Sequence, residues 1–147
     1  MEIRQILVPT DFSSHADKAL DAAMGLAQQF NAKLHLFHAY HLPVTVATPE
    51  HVVIPRDFWT SVREAASKKL AGLVEKVQRE GLEAEAHLTE MAAAPAITEI
   101  AETLGVDLIV MGTRGNTGIK HVLLGSVAER TLRTAPCPVL TLKDGSK

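Results

Sequence analysis

Apolar residues along the chain follow two alternating patterns, one typical of β-strands and the other typical of α-helices. Short apolar or alternating runs occur at residues 6–8, 34–40, 84–88, 108–111 and 138–142. Between them, residues 16–30, 58–77, 96–104 and 127–134 repeat apolar positions every three or four residues, as amphipathic helices do. The pattern therefore predicts five strands and four helices in strict alternation.

This alternation predicts an α/β fold with an open five-stranded parallel sheet. Parallel strands need right-handed crossovers, and these place helices on both faces of the sheet. Two strands have the features of sheet edges: Ala84, Ala86 and Leu88 alternate with polar residues, and Pro138 cannot donate a ladder hydrogen bond. The predicted strand order is 3-2-1-4-5. Its topological switch point lies between the first and fourth strands, where ligands bind in such sheets.

Length, charge and cysteine content narrow the classes of protein further. The chain has 147 residues, of which 46% are apolar, and we expect a single domain over residues 1–147. Its 15 basic and 17 acidic residues give no field that would hold nucleic acid or an acidic membrane. The N-terminus lacks the pattern of a signal peptide. Cys137 is the single cysteine, so no internal disulfide is expected, and we expect a cytoplasmic location.

The most informative segment is a glycine loop, which runs from Gly112 to Ser126 and joins the fourth strand to the last helix. Glycine lets backbone amides approach a phosphate closely, and a helix start presents free N–H groups and a positive dipole end to an anion. Arg114 and Lys120 could add charged donors. The spacing matches neither a Walker phosphate loop nor the Gly-x-Gly-x-x-Gly dinucleotide motif. The loop therefore predicts a different kind of phosphate site.

In the glycine loop, two residues separate Gly112 from Gly115, and nine residues separate Gly115 from Gly125-Ser126. This spacing resembles the nucleotide-binding signature of the universal stress protein family. Residues 6–11, 107–112 and 136–140 also resemble the family's opening, fourth and closing strands, so the resemblance extends over essentially the whole chain. It implies a Rossmann-like fold of the adenine-nucleotide alpha-hydrolase type. Because the glycine signature is complete, the chain resembles the ATP-binding branch of the family.

The resemblance also implies a set of contact residues for ATP, ADP or AMP, with Mg²⁺ as a metal that could accompany the phosphates. Contacts with the adenosine end are implied for Pro9, Thr10 and Asp11, and Ala39 and Tyr40 are implied beside adenine. Contacts with the ribose are implied for Met111 and Gly112. Contacts with the phosphates are implied for Gly115, Gly125, Ser126 and Val127, and Arg114 of the same loop could be a further phosphate donor. Ala128 stands where the family often has a hydroxyl residue, so a weaker hold on the terminal phosphate is expected.

Several of these residues also allow purely structural interpretations. Ser126 and Glu129 have the spacing of a capping box, which would use the Ser126 hydroxyl at the helix start. Asp11 could cap the first helix, a role open to Ser13 and Ser14 as well. Arg114 could be an ordinary solvated charge.

The histidines and the cysteine predict neither a metal site nor a nucleophile. His35 and His38 point to opposite faces of a strand and so cannot share a metal ion. His121 is expected to be a solvated loop side chain. Cys137, between two prolines, is expected to fill apolar space, because no basic residues indicate an activated thiol.

Two classes of function remain open. The first is a nucleotide-dependent binding or signalling module of a stress response, without catalytic residues, that forms a homodimer through its closing edge strand. The second is a slow ATPase or nucleotidyl-transferring enzyme. Asp11 is the single carboxylate expected near the site and is assigned to the adenosine end, so the sequence favours binding over turnover. A flavodoxin-like electron carrier is disfavoured by an aromatic content of 4%.

Overall fold

The computed structural model describes residues 1–41, 55–115 and 124–143 and contains nine regular elements in those ranges. The strands are β1 (Gln5–Pro9), β2 (Lys33–Tyr40), β3 (Ala84–Glu90), β4 (Leu108–Gly112) and β5 (Val139–Leu142). The helices are α1 (Ser14–Phe30), α2 (Arg56–Arg79), α3 (Ala93–Leu104) and α4 (Ser126–Thr134). All strand pairs are parallel, and the order β3-β2-β1-β4-β5 confirms the predicted topology.

Two hydrophobic layers lie on opposite faces of the sheet because successive strand residues point in opposite directions. Val8 and Leu36 belong to the layer that α1 and α2 cover, together with Leu20 and Leu70. Leu7 and Phe37, their neighbours in sequence, belong to the layer that α3 and α4 cover. The central strands β1, β2 and β4 are therefore buried on both faces, as their apolar runs predict.

Two glycines end helices at the predicted positions. Gly105 follows α3 with φ +59°, and Gly81 follows α2 with φ +79°. This left-handed backbone is open to glycine because it has no Cβ. Within the described ranges, the structure contains no helix whose length and apolar character would let it cross a membrane.

The edge strand β3 differs in part from the expected dry and wet faces. Ala84 is buried as predicted, but Ala86 is exposed and His87 is half-buried. His87 is shielded because its ring lies 5.2 Å from the ring of His35 on β2, measured between centroids. The predicted loop before α2, from His41 to Pro55, lies largely outside the described residues, as do Lys120 and His121 of the glycine loop.

Candidate functional site

A cavity of about 560 Å³ opens at the carboxyl ends of β1, β2 and β4, beside the predicted switch point. Its volume falls in the range of small-molecule sites, about 300–1,000 Å³. Residues from both sides of the switch point line it: Pro9, Thr10, Asp11, Ala16, Phe37, Ala39, Ala93, Ile97, Met111, Gly112, Thr113, Arg114, Gly115, Gly125, Ser126, Val127 and Ala128.

The cavity brings together eleven of the twelve candidate contact residues, which the family resemblance implies or, for Arg114, the glycine loop suggests. They are Pro9, Thr10, Asp11, Ala39, Met111, Gly112, Arg114, Gly115, Gly125, Ser126 and Val127. Tyr40 is the exception: it does not line the cavity, and its hydroxyl accepts a 3.4 Å hydrogen bond from Arg63 Nη1. Ala39 and Tyr40 are adjacent on β2 and their side chains point to opposite faces; of the two, Ala39 lines the cavity. Their contacts with a ligand stay a prediction.

Part of the apolar wall of the cavity was not predicted. Phe37 and Ile97 line it together with Ala128, which stands at the family's position beside the terminal phosphate. All three are at most 2% exposed and belong to the core layer under α3 and α4. Their apolar spacing in the sequence indicates only a core position. No local signal separates a core residue from one whose edge also borders a ligand cavity.

The loop after β1 is held in place by backbone and side-chain hydrogen bonds. Thr10 N donates to Phe37 O at 2.8 Å, and Phe12 N donates to Thr10 Oγ1 at 3.0 Å. His38 Nδ1 lies 2.7 Å from Thr10 O, and since a carbonyl only accepts, the imidazole donates. Phe12 adopts φ +63°, a left-handed conformation that is costly for a residue other than glycine. These bonds fix the loop that borders the cavity.

Ser13, and not Asp11, caps α1. Ser13 Oγ accepts a 3.2 Å hydrogen bond from Ala16 N. Asp11 Oδ1 accepts from Ser13 N at 3.0 Å, while the residue lines the cavity. The carboxylate therefore orients the turn into α1 but does not occupy the capping position itself.

Close packing explains why the signature glycines lack side chains. A Cβ on Gly115 would meet Asp11 Oδ2, across the switch point, so the Asp11 carboxylate would have to shift. A Cβ on Gly125 would lie 3.0 Å from Thr113 O, the same carbonyl that accepts from Gly125 N at 2.6 Å. Thr113 N in turn donates to Leu142 O at 3.0 Å. Thr113 thus links the loop to β5, a role that the sequence motif does not indicate.

The start of α4 lacks a side-chain cap. Gly125 is the N-cap residue and Ser126 is the first helical residue, so the capping-box interpretation of Ser126 and Glu129 is wrong. The Glu129 carboxylate instead pairs with Arg133 Nη2 at 2.6 Å, one turn further on. The first amides of a helix have no intrahelical acceptor, and Ser126, Val127 and Ala128 all border the cavity. This helix start is therefore suited to an anion.

A second group of polar side chains lies on β2 and β3, outside the residues that line the cavity. His35 Nδ1 is 3.0 Å from His87 Nε2, and His35 Nε2 is 2.8 Å from Gln5 Oε1. Glu85 Oε2 lies 3.8 Å from His35 Nδ1 and 3.9 Å from His87 Nε2. His35 and His38 have different partners, as their predicted opposite faces require. The grouping of His35 with Glu85 and His87 arises from the pairing of β2 with β3, which spacing along the chain does not indicate.

Burial and charge shift the pKa values of these groups and of Cys137. Burial lowers the pKa of His35, which the nearby His87 lowers further, and burial also lowers the pKa of His87. The hydrogen bond from Lys33 Nζ to Glu85 Oε1, 2.6 Å long, lowers the pKa of Glu85. Cys137 packs against the apolar layer under α3 and α4, and burial raises the pKa of its thiol, in agreement with the predicted filler role.

The chain is similar to known proteins over nearly its whole length. A sequence model of the universal stress protein family matches residues 2–143. Universal stress protein YxiE of Bacillus subtilis is 34% identical over 145 residues, which cover 95% of this chain and 98% of that protein.

Solved structures share the fold over the whole chain. MJ0577 of Methanocaldococcus jannaschii superposes with a TM-score of 0.87 at 27% identity and covers 100% of both chains. A universal stress protein solved in complex with cAMP superposes with a TM-score of 0.73 at 24% identity, covering 97% of this chain and 98% of that one.

Proposed function

The chain belongs to the universal stress protein family, and we propose that it binds an adenine nucleotide in the cavity at the carboxyl ends of its strands. On this proposal the protein is a nucleotide-dependent binding or signalling module of a stress response, and ATP is the ligand for which its glycine signature is built. The observation that carries the proposal is the uncapped start of α4, which faces the cavity beside Gly115 and Gly125.

The phosphate end of the ligand fits the glycine loop and the helix start. The amides of Ser126, Val127 and Ala128 precede the first intrahelical bond, in which Glu129 N donates to Gly125 O at 2.9 Å. An anion at this position would accept from these amides and interact with the positive end of the helix dipole. Arg114 also borders the cavity and would add positive charge. These amides and Arg114 would neutralise the negative charge of the nucleotide's phosphates.

The adenosine end fits the opposite side of the cavity. Ala39, Ile97 and Met111 offer apolar surface for a purine, while Thr10 and Asp11 offer polar atoms for the base or the ribose. The hydrogen bonds that fix the loop at Thr10 hold these atoms in place before a ligand arrives, which reduces the entropic cost of binding. The cAMP complex of a protein with the same fold supports an adenine nucleotide as the class of ligand.

Ala128 bears on which nucleotide is preferred. Its methyl group is 2% exposed and packs in the apolar layer, where a family member with a hydroxyl residue would have a further donor. The terminal phosphate is therefore held by backbone amides and Arg114, and we expect AMP, ADP and ATP to differ less in affinity than they would with a hydroxyl residue at this position. We include in this proposal that Mg²⁺ accompanies the phosphates of the bound nucleotide.

The residues that line the cavity favour binding of the nucleotide over its efficient hydrolysis. Among the described residues, Asp11 is the one carboxylate that lines it, and Ser13 N already occupies Asp11 Oδ1. Hydrolysis needs a base placed beside the attacking water and charge neutralisation at the leaving phosphate. A slow ATPase is the alternative, and hydrolysis that is lost in Asp11→Asn would favour it.

The test is a thermal-shift titration of purified protein with ATP, ADP, AMP and cAMP, together with chromatography of any nucleotide released by heat denaturation. A ligand at about 100 times its dissociation constant should add about 2.7 kcal/mol to the free energy of unfolding. Gly115→Ala should lower the affinity at least tenfold, because the new methyl group meets Asp11 Oδ2. Gly25→Ala is the matched control, since a Cβ there meets nothing within 4 Å. No shift with any of the four nucleotides would reject the proposal.

We further propose that the protein forms a homodimer through β5. This strand lies at an edge of the sheet, and Leu140 on it is 38% exposed. An unpaired edge with exposed apolar side chains is a template for a second copy of the chain. Sedimentation velocity should show a dimer for the wild type and a monomer for Leu140→Lys. A monomeric wild type at micromolar concentration would reject this part of the proposal.

A further inference from the structure

Three side chains with the chemistry of zinc ligands converge on β2 and β3, away from the cavity. Glu85 is the direct partner of His35 in the β2–β3 register, and His87 lies two residues further along β3 on the same face. Their ligand atoms, His35 Nδ1, His87 Nε2 and Glu85 Oε2, all lie within 4.8 Å of one another. The nearby Gln5 and Lys33 are the first residues of β1 and β2, whereas the nucleotide cavity is at the carboxyl ends of the strands.

Gln5 determines which nitrogen of His35 is available. Gln5 Nε2 donates to Leu104 O at 3.3 Å, so Gln5 Oε1 is the atom that faces the imidazole at 2.8 Å. This oxygen only accepts, and His35 Nε2 must therefore carry the proton. His35 Nδ1 is left with a lone pair that points toward His87 and Glu85. A histidine that ligates a metal ion typically donates its other N–H to a carbonyl or carboxylate oxygen in this way.

The two carboxylate oxygens of Glu85 also have different partners, and this orients the side chain. Oε1 accepts from Lys33 Nζ at 2.6 Å, while Oε2 is turned toward the two imidazoles. At 3.8 and 3.9 Å, Oε2 is too far from either nitrogen for a hydrogen bond. The carboxylate thus completes a triangle of donor atoms without bonding to the other two.

The size of this triangle fits a tetrahedral zinc ion. Ligand atoms at about 2.0–2.1 Å from one tetrahedral Zn²⁺ lie about 3.3 Å apart. The observed separations are 3.0, 3.8 and 3.9 Å, so side-chain shifts of a few tenths of an ångström would bring all three into coordination. The Glu85 side chain is 52% exposed and gives the ion a path from solvent, while that of His35 is 3% exposed and held by Gln5.

We propose that His35 Nδ1, His87 Nε2 and Glu85 Oε2 bind Zn²⁺, with water in the fourth position. The ion would fasten the edge strand β3 to β2. Two imidazoles and one carboxylate are a ligand set that zinc sites with an open position use. The competing interpretation is a hydrogen bond from His87 Nε2 to His35 Nδ1, which would satisfy both rings without an ion.

The experiment is a titration of untagged protein, dialysed against a chelator, with Zn²⁺ by calorimetry and with Co²⁺ by visible absorption. We expect one Zn²⁺ per chain and the intense d–d absorption of four-coordinate Co²⁺, displaced by Zn²⁺. His87→Gln and Glu85→Gln should each lower Zn²⁺ affinity by at least about 100-fold, the upper end of what losing an outer-shell partner costs. His41→Gln, which alters an exposed histidine beyond the end of β2, is the matched control and should leave the affinity unchanged.

Two results would overturn the proposal. One is the absence of stoichiometric Zn²⁺ binding to the wild type, which would leave the pair of histidines as an ordinary hydrogen bond. The other is unchanged Zn²⁺ affinity in Glu85→Gln, whose half-exposed side chain can be altered without disturbing the core. Far-UV circular dichroism of each variant verifies that a lost site does not reflect a lost fold. Neither result depends on whether a nucleotide binds in the cavity.

Discussion

Two polar clusters lie at different places on one sheet and are built from different parts of the chain. At the carboxyl ends of β1 and β4, the candidate phosphate donors are mainly backbone amides of a glycine loop and a helix start. On β2 and β3, the candidate ligands are side-chain atoms of His35, Glu85 and His87. The first arrangement leaves little room for Cβ atoms, since one on Gly125 would lie 3.0 Å from Thr113 O and one on Gly115 would displace the Asp11 carboxylate. The second needs an exact strand register, because a slip of one residue would turn every β3 side chain to the other face.

The difference teaches which substitutions each cluster tolerates. A backbone site keeps its donors when most neighbouring side chains change, but it fails when a methyl group enters the space that its glycines leave. A side-chain site fails when one ligand atom is removed and is indifferent to small changes in the loops. The two clusters should therefore respond to different substitutions.

The largest expected effect is a clean separation of the two binding events. Gly115→Ala should remove at least about half of the stabilisation that ATP gives at about 100 times its wild-type dissociation constant, and leave the shift caused by Zn²⁺ intact. His87→Gln should do the opposite. The measurement is differential scanning fluorimetry of both variants with each ligand, with Gly25→Ala and His41→Gln as controls. Loss of both shifts in one variant would mean that the clusters are coupled or that the fold is damaged.

The same contrast explains how much of the molecule could be predicted from the sequence. The strand order places the glycine loop opposite Asp11, so topology predicted where the cavity lies, and the family resemblance supplied most of its candidate contact residues. The face of Ala39 and Tyr40 could also have been predicted, since strand residues alternate. The zinc-type cluster could not, because His35 and His87 are 52 residues apart and meet only through the register of β2 on β3.

Local backbone geometry was beyond the sequence as well. The interpretation of Ser126 as a helix cap failed because α4 begins at Ser126 itself, one residue earlier than a Ser126 cap requires, with Gly125 as the N-cap. Glycine and serine are both common N-cap residues, so residue type does not decide between Gly125 and Ser126. Gly125 N donates to Thr113 O, a contact that spacing along the chain does not indicate. The left-handed Phe12 is similar: its φ of +63° follows from the bonds around Thr10 and not from any propensity of phenylalanine.

The next largest effect is expected at Gln5, which contacts the proposed zinc ligand His35 but would not itself bind the metal. Gln5→Leu removes the acceptor that fixes the proton of His35 on Nε2. Loss of such an outer-shell partner typically costs about 10–100-fold in metal affinity. We expect a loss of this size in calorimetric Zn²⁺ titrations and no change in ATP affinity. Equal Zn²⁺ affinity in Gln5→Leu and the wild type would show that Gln5 does not orient His35.

The corresponding residue at the cavity is His38, which holds the loop but does not line the cavity. His38→Phe keeps the ring that packs 4.4 Å from Phe12, centroid to centroid, and removes the hydrogen bond to Thr10 O. A lost hydrogen bond of this kind costs about 1 kcal/mol. Urea unfolding should show that loss, and ATP affinity should fall severalfold because the loop is less ordered. A stability loss without any change in affinity would mean that the loop does not need His38 to be ordered.

The smallest expected effect separates the stability of α4 from its role in binding. Thr131 is fully buried, and among the described residues its Oγ1 has no hydrogen-bond partner. Thr131→Val replaces the hydroxyl by a methyl group of similar size and should stabilise the protein by about 1 kcal/mol, since burying an unpaired hydroxyl is costly. Thermal unfolding should show a rise of about 3 °C for a chain of this length. Thr98→Val is the control and should not stabilise, because Thr98 Oγ1 lies 2.8 Å from Thr134 Oγ1. A drop in ATP affinity in Thr131→Val would mean that the buried hydroxyl supports the helix start at the cavity, one turn away from Val127.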